Sequence, residues 1–126
     1  MVVAALSAWH ERQEDAATAL TSVTALPAHA MLEAYSVLTR LPGGYAVPAA
    51  TAAGVLEARF GEPPLRLGAR ERRGLLGTLA AAGVFGGATY DGLVALEAHA
   101  HGRTLLSLDE RAQDTYRRLG VAFQAV

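Results

Sequence analysis

The sequence predicts an α/β fold, a central parallel sheet flanked by helices, built as one domain over residues 1–126. Three observations carry this. Short apolar runs alternate with longer segments of helical periodicity. One run, Leu105 to Leu108, is continuously apolar, as a strand covered on both faces must be. Gly and Pro mark the borders between segments, and no linker, internal repeat or low-complexity tail interrupts them.

The elements follow in order. VVAAL (2–6) reads as the tail of a buried strand. Trp9, Ala16, Ala17 and Leu20 recur at helical spacing opposite Glu11, Arg12, Glu14 and Asp15, which predicts a helix from Ala8 to Ser22 with Ser7 as its cap. Val23 to Leu26 is a brief strand candidate closed by Pro27. The next helix covers Ala28 to Leu41. Met31, Ala34, Tyr35 and Leu38 share its apolar face, His29, Glu33, Ser36 and Arg40 its polar stripe, and Pro42-Gly43-Gly44 stops it. Pro48 suits the first turn of a helix over 48–60, with Gly61 as its stop. Leu65 to Leu67 is a short strand candidate after Pro63-Pro64. A helix over about Ala69 to Ala82 opens with Arg70, Arg72 and Arg73. Gly83 and Gly86-Gly87 bracket a loop, and Thr89 is the candidate cap of a helix ending at Gly102. A helix from Glu110 to Leu119, stopped by Gly120, and a last strand in VAFQAV complete the pattern.

Composition narrows the function classes. A chain of 126 residues suffices for one core, and a domain of this size buries roughly two-thirds of its unfolded surface. The absence of Cys excludes disulfides and thiolate metal sites, and fits a reducing, cytoplasmic compartment. No apolar run is long enough to span a bilayer, and MVVAAL lacks the basic start of a signal peptide. A formal net charge of −1 gives no global pull on nucleic acid.

Three acids interrupt this apolar sequence. Glu33 lies within PAHAMLEAYSVLTRL, Asp91 opens TYDGLVALEAHAHG, and Asp109 follows RTLLSL. Asp109 stands at the carboxyl end of a predicted parallel strand, where open α/β sheets bind ligands. Asp91 and Glu33 start helices that reach the same rim. Clustered carboxylates repel each other, and burial disfavours their charge. A Mg²⁺ or Mn²⁺ ion relieves both costs and activates water for phosphodiester cleavage. Each acid also has a plain structural reading: Asp91 complements a helix N-terminus, Asp109 caps a helix, and Glu33 faces solvent with Arg40.

The order Glu, Asp, Asp on these elements resembles the PIN-domain ribonucleases, specifically the VapC-type toxins of toxin–antitoxin pairs. The resemblance covers essentially the whole chain. PAHAMLEAYSVLTRLPGG is similar to the helix bearing the family's glutamate, at Glu33. GGATYDGLVALEAHAHGRTLLSLDERAQDTYRRLGV is similar to the block bearing its two later aspartates, at Asp91 and Asp109. The resemblance implies a PIN-like three-layer fold, a four-acid Mg²⁺/Mn²⁺ site, RNA as substrate, a homodimer and a VapB-like protein inhibitor. The family opens with an apolar strand and Asp-Thr-Ser before a run like VVAAL, whereas this chain starts inside that run. A start assigned too late is the expected reason; the contrary reading is a protein without the first aspartate.

Other candidates carry less. His99 and His101 are two apart, so on a helix they point about 200° from each other and cannot share zinc. His10 and His29 stand alone in the sequence and support no ligand pattern. GVFGGAT (83–89) lacks the Lys of a phosphate-binding loop. Arg70, Arg72 and Arg73 are candidate contacts to RNA phosphates, against the reading of a solvated helix start. Trp9, Tyr35, Val55 and Leu56 lie on helices that the resemblance assigns to the inhibitor groove, although core packing suits Tyr35. The expected function is a metal-dependent endoribonuclease using Glu33, Asp91 and Asp109. The alternatives are an inactive PIN-like protein that only binds an inhibitor or itself, and a receiver-like small-molecule domain.

Overall fold

A computed structural model describes residues 21–107 and 109–125. The predicted first strand tail VVAAL, Trp9, most of the predicted first helix, Leu108 and Val126 lie outside them. The described residues form five helices and a small parallel sheet. The order is α1 (Ala28–Thr39), α2 (Ala49–Arg59), α3 (Ala69–Ala81), a 3₁₀ turn (Gly86–Ala88), α4 (Thr89–Ala100), β1 (Leu105–Ser107), α5 (Glu110–Leu119) and β2 (Phe123–Ala125).

Two apolar cores meet at α1. The first holds Leu26, Ala34, Leu38, Ala52, Leu56 and Phe60 between α1 and α2, with Met31 and Tyr35 packed against it. Ala34 and Ala52 are 0% and 1% exposed, and their small side chains let the two helices approach closely. The second holds Ala30, Val94, Ala95, Ala98, Leu105, Ala112, Tyr116 and Val121, joining α1 and α4 to α5 and the sheet. Ala30 and Ala34 are one turn apart, so α1 has one shoulder in each core. Full burial of a Leu such as Leu26, 1% exposed, stabilises by roughly 1.5–3 kcal/mol.

β1 and β2 pair in parallel, Leu105 with Phe123 and Ser107 with Ala125, and α5 forms the crossover between them. Asp109 caps α5 at its start. Gly120 ends it in the left-handed region at φ 68°, while the Val121 amide donates back to the Tyr116 carbonyl at 3.0 Å.

The structure corrects four local expectations. Val23 to Leu26 and Leu65 to Leu67 do not form strands; they meet in a single parallel bridge between Pro27 and Leu65. Pro27 has no amide to extend a ladder, and helix α1 begins immediately after it. The Leu65 amide donates to the Leu26 carbonyl, and the Ala28 amide to the Leu65 carbonyl. Thr89 is the first residue of α4 rather than its cap, because the 3₁₀ turn already supplies the entry. Pro48 precedes α2 as its cap residue and does not occupy its first turn. α1 stops at Thr39, two residues before the predicted end; the Thr39 hydroxyl donates to the Tyr35 carbonyl at 2.9 Å. A cavity of about 200 Å³ separates residues 22–27 from 103–106, between the bridge and the β1–β2 pair. No helix among the described residues is long and apolar enough to cross a membrane.

Candidate active site

The fold delivers the three acids from three separate elements. Glu33 projects from the second turn of α1, Asp91 from the first turn of α4, and Asp109 from the residue capping α5. Their proximity is read in the electrostatics. Asp91 is partly buried, and burial pushes its carboxyl pKa up; the negative charges of Asp109 and Glu33 push it further, while His29 opposes them. Like charges act this way only across short distances. Tyr116, 6% exposed on α5, reports the same cluster. Burial first, then Asp91, Asp109 and Glu33, push its hydroxyl up to about 12, against a hydrogen bond with the Ser107 side chain.

Each acid has distinct partners. Glu33 Oε1 lies 2.8 Å from His29 Nε2, one helical turn earlier. The Glu33 side chain is also 43% exposed, so it faces solvent as the plain reading expects while His29 bonds one of its oxygens. Asp109 Oδ1 accepts the amides of Arg111 at 2.9 Å and Ala112 at 3.4 Å. Its capping role is therefore real, and it occupies one carboxylate oxygen; Oδ2 takes no part in these bonds. The Asp109 amide donates to the Ser107 hydroxyl at 3.2 Å, which fixes the turn between β1 and α5. Asp91 lies in the first turn of α4, where its charge also complements the helix N-terminus.

Hard carboxylate oxygens are the donor type that Mg²⁺ and Mn²⁺ take. Crowding that raises the pKa of Asp91 is the strain a cation would relieve. Charge and donor chemistry fit such an ion. The spacing is looser: among the described residues no three His, Asp or Glu side chains are grouped closely enough to hold a metal ion. Mg²⁺ typically keeps several waters and binds through one or two carboxylates, so water-bridged contact suits this arrangement.

Sequence reasoning passes over four neighbours. His29 stands alone in the sequence, yet it bonds Glu33 and stacks on Tyr90, with ring centroids 5.2 Å apart and planes at 9°. Glu97, 5% exposed on α4, accepts the His29 backbone amide at 3.0 Å. Burial raises its pKa, and the His29 amide, His29 itself and Arg72 pull it back. A carboxylate inside the apolar run LVALEAHA is the same signal that singles out Glu33. Tyr116 has no sequence signal beyond helical periodicity.

The remaining candidates are placed as follows. Arg70, Arg72 and Arg73 are exposed at the start of α3. Arg72 is near enough to Glu97 to oppose the effect of burial on its pKa. His99 and His101 are exposed near the end of α4, and His101 Nε2 hydrogen-bonds the Arg66 carbonyl at 2.9 Å. Tyr35 is partly buried in the α1–α2 core, Leu56 is buried, and Val55 is exposed. Met31, Leu32, Tyr35 and Leu56 line an apolar hollow of about 330 Å³ between α1 and α2.

Comparison with known proteins bears on this geometry. The chain is 43% identical over 126 residues to Ribonuclease VapC40 of Mycobacterium tuberculosis, in strains CDC 1551 / Oshkosh and ATCC 25618 / H37Rv; the match covers all of this chain and 94% of the relative. It is 42% identical over 118 residues to Ribonuclease VapC27 of the H37Rv strain, covering 94% of this chain and 79% of that relative. No protein-family model matches the chain, and no solved structure matches it.

Proposed function

The chain belongs to the family of VapC ribonucleases, and from that premise we propose that it is the toxin endoribonuclease of a toxin–antitoxin pair, hydrolysing RNA phosphodiester bonds at the Glu33–Asp91–Asp109 edge of a PIN-like fold. The observation that carries the site is the raised pKa of Asp91, caused after burial by Asp109 and Glu33. Acids from three elements share one field there, as they would around a divalent cation.

A bound Mg²⁺ or Mn²⁺ would supply Lewis acidity and lower the pKa of a bound water. Glu33, Asp91 and Asp109 are the residues that would hold it. The chain's own groups do the rest. Asp91 lies in the first turn of α4, partly buried, with the charges of Asp109 and Glu33 acting on it. The Asp109 side chain is held in one rotamer by two backbone amides, so its free oxygen has a fixed direction. Tyr116 keeps its proton at neutral pH and places no further negative charge beside the acids. Arg70, Arg72 and Arg73, exposed at the start of α3, supply positive charge for RNA phosphates.

The partners in this reading are an RNA substrate, a VapB-like antitoxin and a second copy of the chain in a homodimer, all in the cytoplasm. The hollow between α1 and α2 supports the antitoxin contact, since it is apolar and rimmed by exposed Leu32.

The test is cleavage of an RNA substrate with Mg²⁺ or Mn²⁺, comparing the wild type with Glu33→Gln, Asp91→Asn and Asp109→Asn. Neutral amides keep the shape and remove the charge. Each variant should lose activity and remain folded; retained activity in any two defeats the assignment.

A further inference from the structure

We propose that His29 is a positioning residue for the acidic site: its ring nitrogen donates to Glu33 and fixes the direction of that carboxylate. The inference rests on the function proposed above and adds a residue to its machinery.

Three contacts converge on His29. Its backbone amide belongs to the first turn of α1, where amides have no partner within the helix. Pro27 offers no side-chain cap. Glu97 supplies the acceptor from α4 at 3.0 Å, and its near-complete burial makes that hydrogen bond costly to lose. The start of α1 is thereby tied to the helix that carries Asp91. The ring of His29 stacks on Tyr90, the residue before Asp91, with planes only 9° apart. Its Nε2 then meets Glu33 Oε1 at 2.8 Å. A carboxylate has only acceptors, so the nitrogen is the donor.

The consequence is geometric. The Glu33 side chain is 43% exposed and has three rotatable bonds, so packing alone does not fix it. The hydrogen bond from His29 claims Oε1, and Oε2 takes no part in it. The ring's direction is set in turn by Tyr90 on α4. Glu33 and Asp91, on different helices, are thus referred to one another through a single imidazole. Groups that orient oxygen ligands from behind typically change metal affinity by about 10–100-fold when removed.

The donor and the ring can be separated. His29→Phe keeps an aromatic face for Tyr90 and loses the donor. His29→Gln loses the ring and keeps an N–H donor at similar reach. Mn²⁺ binding to the full chain without RNA, measured by titration calorimetry, reads the site independently of turnover. His29→Phe should weaken Mn²⁺ binding by about 10–100-fold, and His29→Gln should restore most of it. In cleavage assays His29→Phe should lower kcat with little change in KM for RNA. Wild-type affinity in His29→Phe, or equal weakness of Phe and Gln, overturns the proposal. If His29→Phe does not fold, His29→Ala replaces it, and equal affinities of Ala and Gln overturn the proposal likewise. Glu33→Gln and Asp91→Asn in the same titration separate the two levels. If both bind Mn²⁺ as the wild type does, the acidic-site reading fails; if both lose binding while His29→Phe keeps it, only the role of His29 fails.

Discussion

Replacing Gly92 by Ala tests how tightly the helix bearing Asp91 is held. A β-carbon at position 92 would lie 2.7 Å from Leu79 Cδ2, 3.1 Å from Val84 Cγ1 and 3.5 Å from Leu119 Cδ1. Unstrained carbon contacts are about 3.5–4.0 Å, so the first overlap approaches 1 Å. Leu79 and Val84 are 3% and 4% exposed and cannot swing into solvent. Either α4 moves away from α3 or a neighbour leaves its rotamer. Overpacking of this kind costs about 1–3 kcal/mol, against a helix-propensity gain of about 1 kcal/mol for Gly to Ala. The expected net is a loss of up to ~2 kcal/mol. Gly74 and Gly77 on α3 provide the control, since a β-carbon there meets nothing within 4 Å. Gly74→Ala and Gly77→Ala should each stabilise by about 0.5–1 kcal/mol. Thermal unfolding followed by circular dichroism reads the contrast, with ~1 kcal/mol equal to roughly 3–5 °C at this size. RNA cleavage well below both midpoints should also fall in Gly92→Ala, because the displaced turn carries Asp91. If Gly92→Ala is stabilised like the controls, the α3–α4 crossing is not close-packed and the argument fails.

Three further outcomes are expected. Asp91 has its folded pKa raised above its ordinary value of 3.8, so the folded chain binds its proton more readily than the unfolded chain does. Its contribution to stability therefore falls as pH climbs from 3.8 through the raised value; Asp91→Asn should be more stable than the wild type at neutral pH without divalent metal, and the gap should close in acid. Urea unfolding across pH checks this, and an opposite sign refutes it. Asp109→Ala should lose about 1 kcal/mol through the missing cap while Asp109→Asn keeps the cap, yet both should lose cleavage; equal stabilities would mean that the cap contributes nothing. Changing Arg70, Arg72 and Arg73 together to Gln should flatten the salt dependence of single-stranded RNA binding, by about 0.7 in log–log slope for each phosphate no longer neutralised. An unchanged slope would remove these arginines from the RNA path.

Long periodic segments were legible in the sequence. α1, α2, α3 and α5 fall within two residues of their expected limits, because Pro27, Pro48, Gly120 and the apolar spacing act locally. The strands before α1 and α3 were less legible. Whether Val23 to Leu26 forms a ladder depends on a partner distant in sequence and on Pro27, which cannot donate. The three acids were visible as carboxylates out of place in apolar surroundings. Asp109 and Glu33 both push up the pKa of Asp91, but among the described residues no three such side chains are grouped closely enough to hold a metal ion. His29 and Glu97 escape a sequence reading because their importance arises across the α1–α4 contact, 68 residues apart along the chain. No local pattern encodes that meeting.

The double membership of α1 has a mechanical consequence. Ala30 is locked into one half of the molecule and Ala34 into the other, with Glu33 on the span between them. A ligand on the α2 side and a ligand on the α4 side would therefore both meet the short helix that carries Glu33. Close-packed interiors yield little, so a shift of this helix against one core has to be accommodated by the other.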